Sequence, residues 1–88
     1  MFHVYVLWSE KLRKRYVGST ENVRKRSKEH NQGSSTFTSG GAPWILIHQE
    51  EFENKKEARG RENFLKGGSG RAWLDRQFPQ FRRGAGVA

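Results

Sequence analysis

The stretch that decides the fold is residues 3–20, HVYVLWSEKLRKRYVGST, in which two short apolar runs flank a charged segment. Both runs contain the β-branched and aromatic residues that strands favour, whereas SEKLRKR between them is polar. This layout predicts a β-hairpin with one tyrosine on each strand, Tyr5 on the first and Tyr16 on the second.

The predicted hairpin has a definite register. With residues 9–12 as the loop, Tyr5 lies directly opposite Tyr16. Directly paired residues share a face of the sheet, with Cβ atoms about 4.5–5.5 Å apart. Because side chains alternate along a strand, His3 and Leu7 share the face of Tyr5, and the residues between them share the other. Taken alone, the hairpin also fits an ordinary aromatic pair packed in a core.

Length and cysteine content narrow the class of protein. A chain of 88 residues suffices for one domain with a modest core. Because cysteine is absent, a metal would need oxygen or imidazole ligands, which favours Mg²⁺ or Mn²⁺. The N-terminal apolar run is short and interrupted, unlike a secretory leader, and no run approaches the about 20 residues of a membrane span. We therefore expect a cytoplasmic protein that does not enter a membrane.

The charge balance indicates a polyanionic partner. Seventeen Lys and Arg residues against nine Asp and Glu give a formal net charge of +8. Such an excess on a small body attracts nucleic acid. A membrane surface fits less well, because the basic residues are spread over several elements instead of lining one amphipathic helix.

A basic helix is predicted directly after the hairpin. Gly18 ends the strand, Thr20 supplies the N-cap, and residues 21–31 form the helix. The inward stripe follows i, i+3, i+4, i+7 spacing and comprises Val23, Arg26, Ser27 and His30. Only Val23 in this stripe is apolar, so the helix is predicted to place an arginine and a histidine where core residues usually lie.

The remaining elements follow from turn and capping signals. Residues 32–42 form a Gly/Ser/Thr-rich loop, suited to phosphate oxygens or simply a connector. WILIHQEEF, after Pro43, predicts a buried central strand. Asn54 and Glu57 form a capping box for a helix over 55–66, whose inner stripe holds Ala58, Leu65 and either Arg61 or Glu62. Gly67 and Gly68 end it, and a short helix covers 70–78.

The predicted fold class is α+β. The order β-β-α-β-α-(α) gives a small three-stranded antiparallel sheet flanked by helices. We expect a single domain over residues 1–78, followed by a basic, mobile C-terminal tail over residues 79–88.

Five positions in this order resemble a known family. The motifs His3-Val4-Tyr5 and Tyr16-Val17-Gly18 are similar to the two signatures of the GIY-YIG nuclease superfamily, although the first keeps only its tyrosine. The family has an arginine ten residues after the second tyrosine, and this position corresponds to Arg26. One helical turn later the family often has His or Tyr, and this position corresponds to His30. Its metal-binding glutamate falls on Glu62 in EARGRENFLK. The likeness covers about residues 2–75. It is closest to small stand-alone members related to the incision domain of the bacterial excision-repair nuclease.

This resemblance implies a metal-dependent endonuclease that nicks DNA, including branched or damaged DNA, as in repair. One of Tyr5 and Tyr16 would act as general base or orient the water, with Tyr5 slightly favoured, while the other positions water and phosphate. Positive charge nearby would bring the phenol pKa, ordinarily near 10, into range. Arg26 would clamp the scissile phosphate, Glu62 would hold one Mg²⁺ or Mn²⁺, and His30 would assist proton transfer or bind phosphate.

Further basic and polar residues are candidates for contacts with nucleic acid. On the first helix, Arg24, Lys25 and Lys28 face solvent or phosphate, and we assign Ser19 and Lys66 to the same surface. Ser19 stands where some relatives carry a lysine, so one phosphate contact of those relatives is missing here.

Each candidate also has a simpler interpretation. Glu62 and Lys66 are spaced for an i, i+4 ion pair of about 0.2–0.5 kcal/mol, and His30 suits a helix C-terminus. A catalytically silent nucleic-acid-binding module of the same fold is therefore the main alternative. A ribosome-associated basic protein explains the charge but not the polar stripe of the first helix.

Overall fold

Strands and helices follow one another in the predicted order. The computed structural model describes residues 1–32 and 40–82. Its elements are β1 (Phe2–Ser9), β2 (Lys14–Thr20), α1 (Val23–Asn31), β3 (Trp44–Phe52), α2 (Lys55–Lys66), α3 (Gly68–Gln77) and a 3₁₀ helix (Pro79–Phe81). The α+β class and the three-stranded antiparallel sheet are thereby confirmed.

The central strand of the sheet is β1. The strand order is β2-β1-β3, and residues 4–9 of β1 are all buried. The expectation that β3 is a buried central strand was wrong, because β1 pairs on both sides and leaves β3 at an edge. Of the nine residues of β3 only Trp44 is buried, while Ile45 and Leu46 are 48% and 39% exposed.

The predicted hairpin register was wrong by two residues. Tyr5 pairs with Gly18, and Leu7 pairs with Tyr16. The turn spans residues 10–13 and closes at Arg13, whose φ of 56° lies in the left-handed region. Because a two-residue shift preserves the face of every side chain, Tyr5 and Tyr16 still lie on one face as diagonal neighbours, with ring centroids 6.2 Å apart.

Helices cover both faces of the sheet, and the two faces differ in character. On the side of α2 and α3 lies an apolar core composed of Val4, Val6, Val17, Ala58, Leu65 and Leu74. On the side of α1, the buried cluster contains Tyr5, Leu7 and Trp44, with Tyr16 and Val23 packed against it. The first face thus has an aliphatic core, with the ion pairs Arg15–Asp75 and Arg61–Glu50 beside it, while the other carries phenols.

Helix α1 begins later than the sequence predicts. Thr20 was expected to be its N-cap, but β2 continues through Thr20 and the helix starts at Val23. Asn22 is the cap instead, since its side-chain oxygen accepts from the backbone N–H of Lys25 at 3.0 Å. Of the predicted inward stripe, His30 is buried and Val23 and Arg26 are partly buried. The placement of Ser27 was wrong, because it lines a hollow on the outer side of the helix.

Helix α2 has the predicted bounds and the predicted capping box. The Asn54 oxygen accepts from the Glu57 N–H at 2.9 Å, and the Asn54 amide donates to the Glu57 carboxylate at 3.1 Å. Helix α3 follows after Gly67 and begins at Gly68, two residues earlier than predicted. A Cβ at Gly70 would lie 2.0 Å from the Phe64 carbonyl oxygen, so this tight connection requires glycine.

The predicted tail begins with ordered structure. Pro79–Phe81 form a 3₁₀ helix, and the Phe81 ring lies 5.8 Å from that of Trp8. The rest of the predicted tail, residues 83–88, and most of the predicted phosphate-binding loop, residues 33–39, lie outside the described residues. Within the described ranges, none of the helices has the length and hydropathy needed to cross a bilayer.

Candidate active site

The second hairpin strand approaches the Tyr5 phenol closely at Gly18. A Cβ at this position would lie 2.6 Å from the Tyr5 hydroxyl oxygen and 2.8 Å from Cζ. Any larger residue would therefore displace the phenol. This contact gives a physical reason for glycine at the end of the YVG motif, where the observed register pairs it with Tyr5.

Tyr5 and His30 form a buried hydrogen-bonded pair. The Tyr5 hydroxyl lies 3.0 Å from His30 Nε2, and the two residues are 1% and 0% exposed. The Tyr16 ring closes over this pair, with its centroid 4.6 Å from that of His30. Helix α1 and the hairpin together thus enclose a histidine between two phenols.

Burial dominates the acidity of Tyr5. Desolvation, followed by the neighbouring Tyr16, raises the pKa of Tyr5 to about 12, although Arg26 acts in the opposite direction. Arg26 thus acts in the expected direction, but its effect is outweighed by burial and by Tyr16. The phenol is therefore neutral near pH 7 and still has a proton that it can donate.

His30 is shifted toward its neutral form. Burial, and then the positive charge of Arg26, lower the pKa of His30 below 6.5, while Glu29 opposes the shift only in part. A neutral imidazole can accept a hydrogen bond at Nε2 when its proton lies on Nδ1. Near pH 7 the pair is therefore suited to a phenol that donates to a neutral histidine.

Arg26 extends from the inward stripe of α1 into the cleft beside Tyr5. Its guanidinium forms an ion pair with Glu29, with 3.2 Å between Nη1 and Oε1. This hydrogen bond raises the pKa of Arg26, so the group stays charged. A guanidinium has five N–H donors, which leaves donors for a phosphate oxygen besides the contacts with Glu29 and Tyr5.

Glu62 reaches the cleft from α2. Its Oε1 accepts from the Ser19 hydroxyl at 2.6 Å, and its Oε2 lies 2.6 Å from Lys66 Nζ. Burial alone would raise the pKa of Glu62, but the hydrogen bonds from Lys66 and Ser19 and the charges of Lys66 and Arg59 outweigh it, so the pKa is lowered. Glu62 is therefore an ionised carboxylate.

Four of the five predicted catalytic residues line one polar cleft, and His30 lies behind it against Tyr5. The cleft has a volume of about 400 Å³ and is lined by Tyr5, Tyr16, Gly18, Ser19, Arg26, Arg59, Glu62 and Asn63. Arg59 and Asn63 were missed from the sequence. Arg59 lies three residues before Glu62 on α2, so helical spacing from Glu62 could have found it.

The predicted nucleic-acid contacts fall on two surfaces. Arg24, Lys25 and Lys28 line a shallow hollow on the outer side of α1, away from the cleft. Ser19 and Lys66 instead lie beside the cleft, where both bind the Glu62 carboxylate. Ser19 and Lys66 are therefore both bound to Glu62. A phosphate that contacted either of them would lie beside that carboxylate.

The donor set of the cleft fits a hard divalent cation held by one carboxylate. Among residues 1–32 and 40–82, no group of three His, Asp or Glu side chains is arranged to hold a metal. Mg²⁺ is commonly bound through one or two carboxylates, with water and phosphate in the other positions. The ionised Glu62 matches that pattern, provided that Lys66, whose side chain is half-exposed, releases Oε2.

Comparison with known proteins defines the class to which this fold and cleft belong. The model of the GIY-YIG catalytic domain matches residues 1–74, which contain both tyrosines, Arg26, His30 and Glu62. The chain therefore belongs to the GIY-YIG family.

Within that family, its relatives are UPF0213 proteins. The chain is 43% identical over 67 residues to UPF0213 protein CPE1444 of Clostridium perfringens, covering 75% of this chain and 71% of the relative. It is 40% identical over 67 residues to UPF0213 protein VNG_2274C of Halobacterium salinarum, covering 75% and 86%. No solved structure matches the chain.

Proposed function

We propose that the protein is a metal-dependent endonuclease that nicks DNA in the cleft between the hairpin, α1 and α2. The observation that carries the proposal is the convergence of two phenols, a guanidinium and an ionised carboxylate on one polar cleft. The chain's membership in a nuclease family makes phosphodiester hydrolysis the reaction that this set of groups serves best.

Arg26 binds the scissile phosphate in this proposal. Its planar, permanently charged guanidinium can donate two hydrogen bonds to phosphate oxygens. Arg59, on the α2 side of the cleft, adds a second positive charge. Groups of this kind stabilise the charge that develops on the phosphate oxygens in the transition state.

Tyr5 and His30 act together as the proton acceptor. A phenol with a pKa of about 12 is a poor base near pH 7 because little phenolate is present. If the attacking water gives its proton to the Tyr5 oxygen while the Tyr5 proton moves to His30 Nε2, no free phenolate is needed. The water oxygen bonds to phosphorus as the bond to the 3′ oxygen breaks; the 3′ oxygen takes a proton from solvent, and the proton removed from the attacking water is balanced by the one now on His30.

Tyr16 positions the water and the phosphate. Its ring packs against His30, and it lines the cleft beside Tyr5. The hydroxyl can donate to a phosphate oxygen or accept from the water. Assigning the proton transfer to Tyr5 follows from the Tyr5–His30 hydrogen bond.

Glu62 holds the divalent ion, Mg²⁺ or Mn²⁺. When bound, the ion would neutralise charge on the phosphate and assist departure of the 3′ oxygen. Ser19 keeps the carboxylate oriented through Oε1, and Lys66 moves away from Oε2. Preference for branched or damaged DNA, a part in DNA repair and a cytoplasmic location remain predictions from the sequence.

A nicking assay tests the proposal. Supercoiled, flap and junction DNA are incubated with the protein and Mg²⁺ or Mn²⁺, and products are separated on gels. We expect metal-dependent nicking that Glu62→Ala abolishes, with DNA binding preserved. Glu53→Ala, in the exposed turn before the same helix, is the matched control and should nick at the wild-type rate.

One observation favours a second candidate, a nucleic-acid-binding module without catalysis. Both oxygens of Glu62 are already bound, by Ser19 and Lys66, so the carboxylate has a structural role as it stands. If the wild-type protein nicks neither DNA nor RNA with either metal but binds them, this second function is correct.

A further inference from the structure

A second concave surface lies beside the cleft, along the outer edge of the sheet. This β2-edge groove has a volume of about 310 Å³. Its floor is formed by the buried side chains of Val17, Leu65 and Leu74. Its rim carries the exposed cations Lys14, Lys66 and Arg71.

The β2-edge groove and the cleft are adjacent. Tyr16 lines both, and Lys66 lines the groove while its ammonium contacts the cleft carboxylate of Glu62. A chain that leaves the cleft past Tyr16 along β2 therefore enters the groove directly.

The rim of the groove is available to an anion. Within residues 1–32 and 40–82, neither Lys14 nor Arg71 has a carboxylate within 4.0 Å, and no acidic side chain lines the groove. Arg15 has a different role, because its side chain is 7% exposed and pairs with Asp75 of α3 at 2.9 Å. That ion pair fixes α3 against β2 and leaves the rim cations facing outward.

We propose that the β2-edge groove binds the nucleic-acid backbone on one side of the scissile phosphate, with Lys14 and Arg71 contacting phosphates. The inference rests on the proposed function, since it extends the same nucleic-acid path. Two residues of a strand cover about 6.6 Å, so Lys14 can contact a phosphate close to the one that lies at Tyr16.

An acidic peptide is the alternative occupant of a basic groove, and the shared wall with the cleft disfavours it. The adjacent cleft contains phenols, a guanidinium and a carboxylate, and binding of an acidic peptide does not require this set of groups. A phosphodiester chain held at Arg26 must leave the cleft, and the groove offers cations along one such exit.

The test measures binding without catalysis. The variant Lys14→Gln/Arg71→Gln is compared with Lys55→Gln/Lys56→Gln, which removes two charges from exposed positions outside both the cleft and the groove. Fluorescence anisotropy of a labelled duplex and a labelled single strand is recorded in EDTA over a range of salt concentrations. Far-UV circular dichroism checks that both variants keep the fold.

We expect the groove variant to bind more weakly than wild type, irrespective of sequence. For the groove variant, the slope of log K against log salt concentration should fall by about 1.8 for the duplex or about 1.4 for the single strand. For the control variant, the slope should fall by less. An equal loss in both variants would overturn the proposal, as would a groove variant that binds like wild type.

Two further outcomes separate this inference from the proposed function. If the slope falls as expected but wild type never nicks, the groove proposal stands and the catalytic one fails. If wild type nicks but the slope is unchanged, the groove proposal alone fails. Binding of labelled deca-glutamate that the groove variant loses, without any loss of nucleic-acid binding, would assign the groove to an acidic peptide.

Discussion

The same strands form both faces of the sheet, but the side chains on the two faces have different roles. On the side of α2 and α3, the alternate residues of β1, Val4 and Val6, pack in a core of aliphatic side chains. On the side of α1, the intervening Tyr5 contacts a buried histidine. Apolar burial on one face supplies stability, so the other face can hold groups whose burial shifts their pKa.

Among these variants, Arg26→Ala should cause the largest loss of nicking, because it removes a charged group from the polar face of the sheet. Removing one donor that stabilises developing transition-state charge typically costs about 10²–10³ in rate. We expect nicking to fall by that amount while the free energy of unfolding changes little, because the side chain is partly exposed. Arg24→Ala, an exposed arginine on the same helix, is the control.

A loss of nicking in Arg24→Ala equal to that in Arg26→Ala would show that general basic charge matters, and would contradict a specific clamp. Rates are compared at saturating DNA, so that weaker binding is not mistaken for slower chemistry.

Leu65→Ala should destabilise the core on the side of α2 and α3. Leu65 is fully buried in the core, and truncating a buried leucine costs about 2–5 kcal/mol. We expect the free energy of unfolding to fall by that amount in urea denaturation. Phe64→Ala, at a neighbouring position that is 42% exposed, should cost far less.

Gly18→Ala tests the contact between the strand and the phenol. The new methyl group would lie 2.6 Å from the Tyr5 hydroxyl, so the ring must shift and its hydrogen bond with His30 is disturbed. A displacement of about 1 Å in an active site can cost about 10²-fold in rate. Nicking at the wild-type rate by this variant would show that the position of Tyr5 is not critical. The control is Gly68→Ala, because a Cβ at Gly68 would meet no atom within 4 Å.

Local patterns predicted most of the fold because they depend on local physics. The capping box at Asn54 and Glu57 set the start of α2. The polar stripe of α1 correctly placed Arg26 and His30 on the inward side. The sequence also indicated that Tyr5, Tyr16, Arg26 and Glu62 converge, and the cleft brings them together; their catalytic roles remain predictions.

What the sequence did not predict depends on tertiary contacts. The hairpin register depends on the left-handed Arg13 at the turn, which residue preference does not predict. The edge position of β3 depends on β1 pairing on both sides. The pKa of Tyr5 depends on how deeply the ring is buried. The choice of Asn22 over Thr20 as cap depends on where β2 ends.

The pH dependence of nicking tests the coupled role of Tyr5 and His30 most directly. Below the pKa of His30, itself below 6.5, the protonated imidazole cannot accept the Tyr5 proton, so the rate should fall tenfold per pH unit. Above that pKa His30 is neutral, and the rate should be constant to pH 9. A rate that instead keeps rising tenfold per pH unit to pH 9 would show that Tyr5 must ionise by itself, and would contradict the account.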